Sequence, residues 1–164
     1  RDVAPSRGLG DVYKRQVMAN AISKYTFDQG ELIYWPVSGT VTLGYNMDST
    51  VYFKTLGMYK CSPGMVVASD VGTKVCAAVS GVVVDVAENT ETGLTVRVAA
   101  GNGYEMTTGM LSDVNVKIGD TVTAGQLLGT VAEPTAYYKE EGPGIYFAMT
   151  KDGIPVNPMD YLGE

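Results

Sequence analysis

Apolar residues along this chain fall into short runs, broken every eight to twelve residues by glycine, asparagine, aspartate or serine. That spacing predicts many short strands joined by tight turns. The stretch Met110–Val131 shows the pattern most clearly. Val116 and Ile118 alternate with polar neighbours, as in a half-buried strand. Gly119-Asp120 and Gly125-Gln126 mark turns, and Leu127–Val131 reads as a further strand. Upstream, Leu32–Val37, Thr40–Tyr45, Met65–Ala68, two strands within Lys74–Val86, and the hairpin arms Val82–Ala87 and Leu94–Ala99 repeat the theme. Gly101-Asn102-Gly103 turns into Tyr104–Thr108, and Ile145–Thr150 is expected as a last core strand. Asn46–Pro63 carries Tyr52, Phe53 and Tyr59 without a clean period, and reads as an extended crossing with one helical turn. No segment has a sustained helical period, so the expected class is all-β, a small sandwich or barrel-sandwich hybrid.

A weak internal echo accompanies this pattern. Gly72-Thr73-Lys74-Val75 leading to Gly81-Val82 and Gly119-Asp120-Thr121-Val122 leading to Gly129-Thr130-Val131 share their glycine and valine spacing. A duplicated hairpin unit explains it; so does chance recurrence of Gly and Val in a β protein.

Composition narrows the function. The 164 residues carry a net charge of −6, which argues against nucleic acid, anionic lipid and anionic wall polymer as partners. No apolar run is long enough to span a membrane as a helix. Residues 1–16 differ in character: they hold four basic and two acidic residues, and read like a leader translated from adapter DNA. Residues 17–30 are expected to be a linker or short helix, with order beginning at Glu31. Cys61 and Cys76 fit either a hairpin disulfide or two small buried residues. The chain contains no histidine.

Several motifs then come in a fixed order: Trp35-Pro36-Val37-x-Gly39, Gly72-Thr73-x-Val75-x-Ala77, Gly101-Asn102-Gly103-Tyr104, Met110-Leu111, Val116-x-Ile118-Gly119-Asp120-x-Val122-x-x-Gly125-Gln126-x-x-Gly129, and Asp152-Gly153-x-Pro155-Val156-Asn157-Pro158. Together they resemble the M23 (LytM- or lysostaphin-type) peptidase domain over about Trp35–Leu162. The resemblance implies the duplicated hybrid fold and, in active members, one zinc held by His-x-x-x-Asp and the second His of His-x-His. Two further histidines there assist the attacking water.

Carried onto this chain by spacing, the His-x-x-x-Asp positions are Ser62 and Val66, the His of Tyr-x-His-Leu is Met110, and the His-x-His pair is Gly144 and Tyr146. Every ligand and proton-transfer position is substituted. No metal and no cofactor are therefore expected. Lys74 and Lys117 lack the neighbours of a biotinyl or lipoyl lysine, and Glu140-Glu141 reads as a solvated acidic pair or a weak hard-cation site.

What remains is a groove in which Val66, Met110 and Tyr146 should converge, with Tyr104, Thr108, Tyr137 and Tyr138 as candidate walls. Val66 and Met110 fit core filling, whereas Tyr137-Tyr138, in a Pro-bounded polar loop, are expected to be exposed. The resulting expectation is a catalytically inactive M23-like domain over residues 31–164. It would be an extracytoplasmic binding or scaffolding module of the bacterial envelope, any anchor lying ahead of it, and its partner an envelope protein or a peptidoglycan peptide. The alternative is a zinc endopeptidase that cleaves peptidoglycan cross-links with atypical ligands.

Overall fold

The computed structural model describes residues 3–162, with side chains described from Val12 onward. The expected leader begins outside this range. Helix α1 (Val3–Ile22) runs from that segment into the expected linker, and packing starts ahead of Glu31. Phe27 is buried, its N–H donates to the Ala100 carbonyl (3.1 Å), and its ring lies 4.9 Å from that of Tyr104.

Strands follow in order: β1 (Thr40–Leu43), β2 (Asn46–Phe53), β3 (Met58–Ser62), β4 (Gly64–Ala68), β5 (Lys74–Cys76), β6 (Gly81–Asn89), β7 (Gly93–Gly101), β8 (Tyr104–Ser112), β9 (Thr121–Val122), β10 (Leu127–Val131), β11 (Gly144–Lys151) and β12 (Ile154–Val156). Among the described residues ten of these strands form one antiparallel sheet system with the path β1-β4-β11-β8-β7-β6-β9, while β2 and β3 pair only with each other. The all-β body is as the sequence pattern requires. Its main core takes alternate residues from the central strands: Met65 and Val67 of β4, Val96 and Val98 of β7, Ile145, Phe147 and Met149 of β11.

The internal echo is a real duplication of structure. β5 pairs with β10, and β9 with β6, so each repeat lends a strand to the other. The turn bonds match: Gly72 N–H donates to Val131 O and Gly119 N–H to Val83 O, both at 2.8 Å. In return Val131 N–H donates to Thr73 O and Val83 N–H to Asp120 O.

Two local expectations need correction. Asn46–Pro63 is a β-hairpin, not a crossing with a helical turn, and a register irregularity between Asn46 and Val51 breaks its period. Val116–Ile118 belongs to none of the strands, and Ile118 opens a turn. The Asp120 carboxylate accepts the Lys117 N–H (2.9 Å), which closes a turn there, and Ile118 is 53% exposed. Cys61 and Cys76 are both free, each half-buried, Cys61 directed to the Met47 carbonyl and Cys76 on β5 of the main sheet.

Candidate functional site

Directly opposed residues of antiparallel strands share a face, and this rule brings the substituted positions together. Tyr146 of β11 lies between Val66 of β4 and Gly109 of β8, and Gly144 lies opposite Ala68. Leu43 of the edge strand β1 is paired with Val66 on the same face.

Met110 reaches this face through a bulge. In β8, Leu111 is opposite Leu94 and Thr108 opposite Val96, so Gly109 and Met110 together face one residue of β7. Met110 takes the left-handed conformation (φ 61°), uncommon for a residue with a long side chain. Its N–H donates to the Thr92 carbonyl (2.5 Å) and its carbonyl accepts from Ala132 N–H (3.1 Å). The bulge turns Met110 to the cleft and returns Leu111 to the main core.

The cleft is filled. Leu43, Phe53, Val66, Met110 and Tyr138 form a second buried cluster, with Val51, Leu56, Tyr137 and Tyr146 packed against it. Ser62 is buried and its hydroxyl donates to the Gly64 carbonyl (2.6 Å). The Tyr146 ring lies over Gly64, where a Cβ would stand 2.6 Å from the phenol oxygen.

Tyr138 arrives on a 3-10 helix, Ala136–Glu141, whose helical geometry breaks at that residue (φ −119°, ψ 22°). This strap is fastened to the β2–β3 hairpin. Thr55 Oγ donates to Glu141 (2.6 Å) and accepts from Glu140 N–H (2.8 Å), and Lys54 N–H donates to the Glu141 carboxylate (3.1 Å). The Lys60 ammonium donates to the Tyr137 hydroxyl and lies 5.1 Å from the centroids of both the Phe53 and Tyr137 rings. At its other end Thr135 Oγ donates to the Glu91 carbonyl (2.7 Å).

The expected groove walls are distributed differently. Tyr138 is buried at 3% exposure and Tyr137 is half-buried, so neither stands free in a polar loop. The Tyr138 ring packs as core among Leu43, Phe53, Val66 and Met110. Thr108 is buried opposite Phe147, on the core side of the sheet, away from the cleft. Tyr104 lies further along β8 and belongs to the main core, its hydroxyl 3.4 Å from that of Tyr161. Sequence reasoning missed Leu43 and Phe53, whose signal was inward placement on strands that flank the cleft.

Burial pushes the Tyr146 phenol up from its ordinary 10.0 to about 12, helped by Glu91 and by Tyr137. Burial also raises Tyr138, with Tyr146, Tyr137 and the carboxylates of Glu91 and Glu141 adding to the shift. Phenols that keep their protons in the folded state stabilise it fully below pH 10. That contribution is lost as pH rises from 10 towards 12, because the unfolded chain releases the proton first. Each such tyrosine contributes a fall of up to about 1.4 kcal/mol per pH unit. Urea midpoints should hold level from pH 9 to 10 and drop from pH 10 to 11, and Tyr146→Phe should drop less steeply over that second interval. Identical slopes would rule out this account.

The residues present do not fit zinc. The Ser62 hydroxyl is committed to a backbone carbonyl, Val66 and Gly144 offer no donor atom, and the Tyr146 phenol is held protonated. Among the described residues no three His, Cys, Asp or Glu side chains are grouped so as to hold a metal.

A model of peptidase family M23 matches residues 60–158, more than half of the chain. The chain belongs to peptidase family M23. It is a degenerate member, lacking every catalytic histidine. Stage II sporulation protein Q of Bacillus subtilis (strain 168) is 30% identical over 108 residues, covering 65% of this chain and 38% of that protein. This M23 chain thus spans well under half the length of that relative. Among solved structures, the SpoIIQ–SpoIIIAH pore-forming complex contains a chain that superposes with a TM-score of 0.69 at 26% identity, over 80% of this chain and 91% of that one. The catalytic domain of the antimicrobial peptidase lysostaphin from Staphylococcus simulans superposes with a TM-score of 0.54 at 25% identity, over 75% and 86%.

Proposed function

We propose that this M23 domain is catalytically inactive and works outside the cytoplasm, in the bacterial cell envelope, as a binding and scaffolding module for a protein partner. The observation that carries this reading is the filled cleft. The positions to which the resemblance assigns zinc ligands and proton-transfer histidines are Ser62, Val66, Met110, Gly144 and Tyr146, and Val66 and Met110 are buried in one apolar cluster with Tyr138, with Tyr146 packed against it. A polar site reduced to packed apolar side chains can still stabilise a scaffold, but it cannot activate water. The similarity to SpoIIQ, which was solved in complex with SpoIIIAH, supports a protein partner. The acidic balance of the chain supports a partner with a basic face over an anionic polymer.

The test is metal analysis and substrate digestion on the purified chain. After incubation with zinc and desalting, well under one zinc per chain should remain, and muropeptides should be recovered intact. One tightly held zinc per chain together with cleaved cross-links would overturn the proposal in favour of a peptidase with atypical ligands.

A further inference from the structure

The β2–β3 hairpin has two faces with different tasks. Val51 and Phe53 turn inward and close the cleft. On the other face Tyr52 and Tyr59 are directly opposed, their ring centroids 5.1 Å apart, and both stand in solvent at 49% and 70% exposure. Met47 and Met58 on the same hairpin are 42% and 51% exposed, Met58 opposite Phe53 and so bordering the inward face. Exposed tyrosine and methionine gathered on one small element have the composition of an interface centre.

The hairpin also has unpaired edges, since among the described residues neither of its strands joins a third. The irregularity between Asn46 and Val51 spoils the edge of β2, whereas β3 runs in regular register from Met58 to Lys60. An unpaired backbone edge beside an aromatic face is a template for one kind of ligand, an extended strand.

Charge selects among strands. Beside Tyr52 an open niche of about 90 Å³ is lined by Thr42, Leu43, Lys54, Glu140 and Glu141. Asp48 lies on β2, and Lys60, the cation closest to the tyrosine pair in sequence, is turned inward to Phe53 and Tyr137. The whole chain carries −6.

The geometry points to the outer face and free edge of the β2–β3 hairpin as the docking surface for a protein partner that adds a basic strand, alternating apolar and cationic side chains. Its apolar residues pack on Tyr59 and the adjoining Tyr52, and its cations meet a surface whose acids, Asp48, Glu140 and Glu141, outnumber the Lys54 and inward-turned Lys60 ammoniums. This deepens the scaffold reading and rests on it for the existence of a partner.

The probes are two ten-residue peptides, one alternating valine and lysine, the other valine and glutamate, titrated into the full 164-residue chain with amide shifts followed by NMR. The lysine peptide should give saturable shifts concentrated on residues 46–62, the glutamate peptide none. The double variant Tyr52→Ser/Tyr59→Ser should weaken binding at least tenfold while still unfolding cooperatively, its midpoint lowered only by the loss of one exposed cross-strand ring pair. Overturning results are an absence of saturable shifts, equal response to both peptides, or undiminished binding by the double variant. A concentration-dependent dimer of the free chain, abolished in that variant, would assign the face to a second copy instead. Muropeptide cleavage alongside normal peptide binding would remove the inactive reading alone, whereas peptide failure with intact muropeptide would remove the hairpin alone.

Discussion

Gly144→Ala is expected to destabilise the domain by about 3 kcal/mol or more. An ideal Cβ at this position stands 2.3 Å from the Val67 carbonyl oxygen and 3.0 Å from Ala68 Cα. Those atoms are backbone of the neighbouring strand β4, so no side-chain rotation relieves the clash. Relief requires β11 to move away from β4, and this pairing runs from Gly144 to Ala148 through the centre of the sheet system. The sequence resemblance sets the first histidine of the family's His-x-His pair at this position, and Gly144→His would meet the same backbone obstacle. Gly44→Ala is the control, since a Cβ there meets nothing within 4 Å, and its change should stay within about 0.5 kcal/mol. Urea unfolding of the three variants decides the matter. A Gly144→Ala loss below about 1 kcal/mol would mean that β11 and β4 separate easily.

Much of this architecture is legible locally. The Gly-(Thr/Asp)-x-Val segments announce themselves because a tight turn and a valine strand need only neighbouring residues, and the two segments pair with each other as a duplicated unit should. Spacing also placed Val66 and Tyr146 on one face, because strand alternation is strict where pairing is regular. The same rule fails at irregularities, where a one-residue shift exchanges the faces. At Met110 the bulge performs that exchange, so Tyr104 and Thr108, in step with Met110 by simple alternation, lie on the core side. Nothing in Thr-Gly-Met-Leu signals a left-handed methionine. The β2–β3 hairpin stayed hidden for a related reason: its regular ladder covers only Val51–Phe53 against Met58–Lys60, too short to show a period. Tyr138 was misjudged because its sequence neighbours are polar. Its surroundings are set by Phe53 and Tyr146, residues distant in the chain.

Tyr138→Ala is expected to cost about 3 kcal/mol, close to what the loss of a main-core aromatic costs although the residue belongs to a strap. Its ring is buried and lies 5.0 Å from Tyr137, 6.1 Å from Tyr146 and 6.5 Å from Phe53. Removing it strips the second cluster of its cover and leaves apolar walls from Leu43, Val66 and Met110. Tyr137→Ala should cost less, about 1 kcal/mol, since that half-buried ring mainly holds the Lys60 ammonium. Tyr138→Phe should stay within about 1 kcal/mol of the parent because the ring is kept. An apolar cavity of this kind takes up a small aromatic molecule, and binding to the folded state alone raises stability by mass action. p-Cresol should therefore raise the melting temperature of Tyr138→Ala while leaving the parent chain unmoved. A large loss without rescue by p-cresol would mean that the strap collapses inward when the ring is gone. A small loss would mean that the cluster does not depend on Tyr138, and the cleft would then have to be held shut by the Lys60, Glu141 and Thr135 tethers.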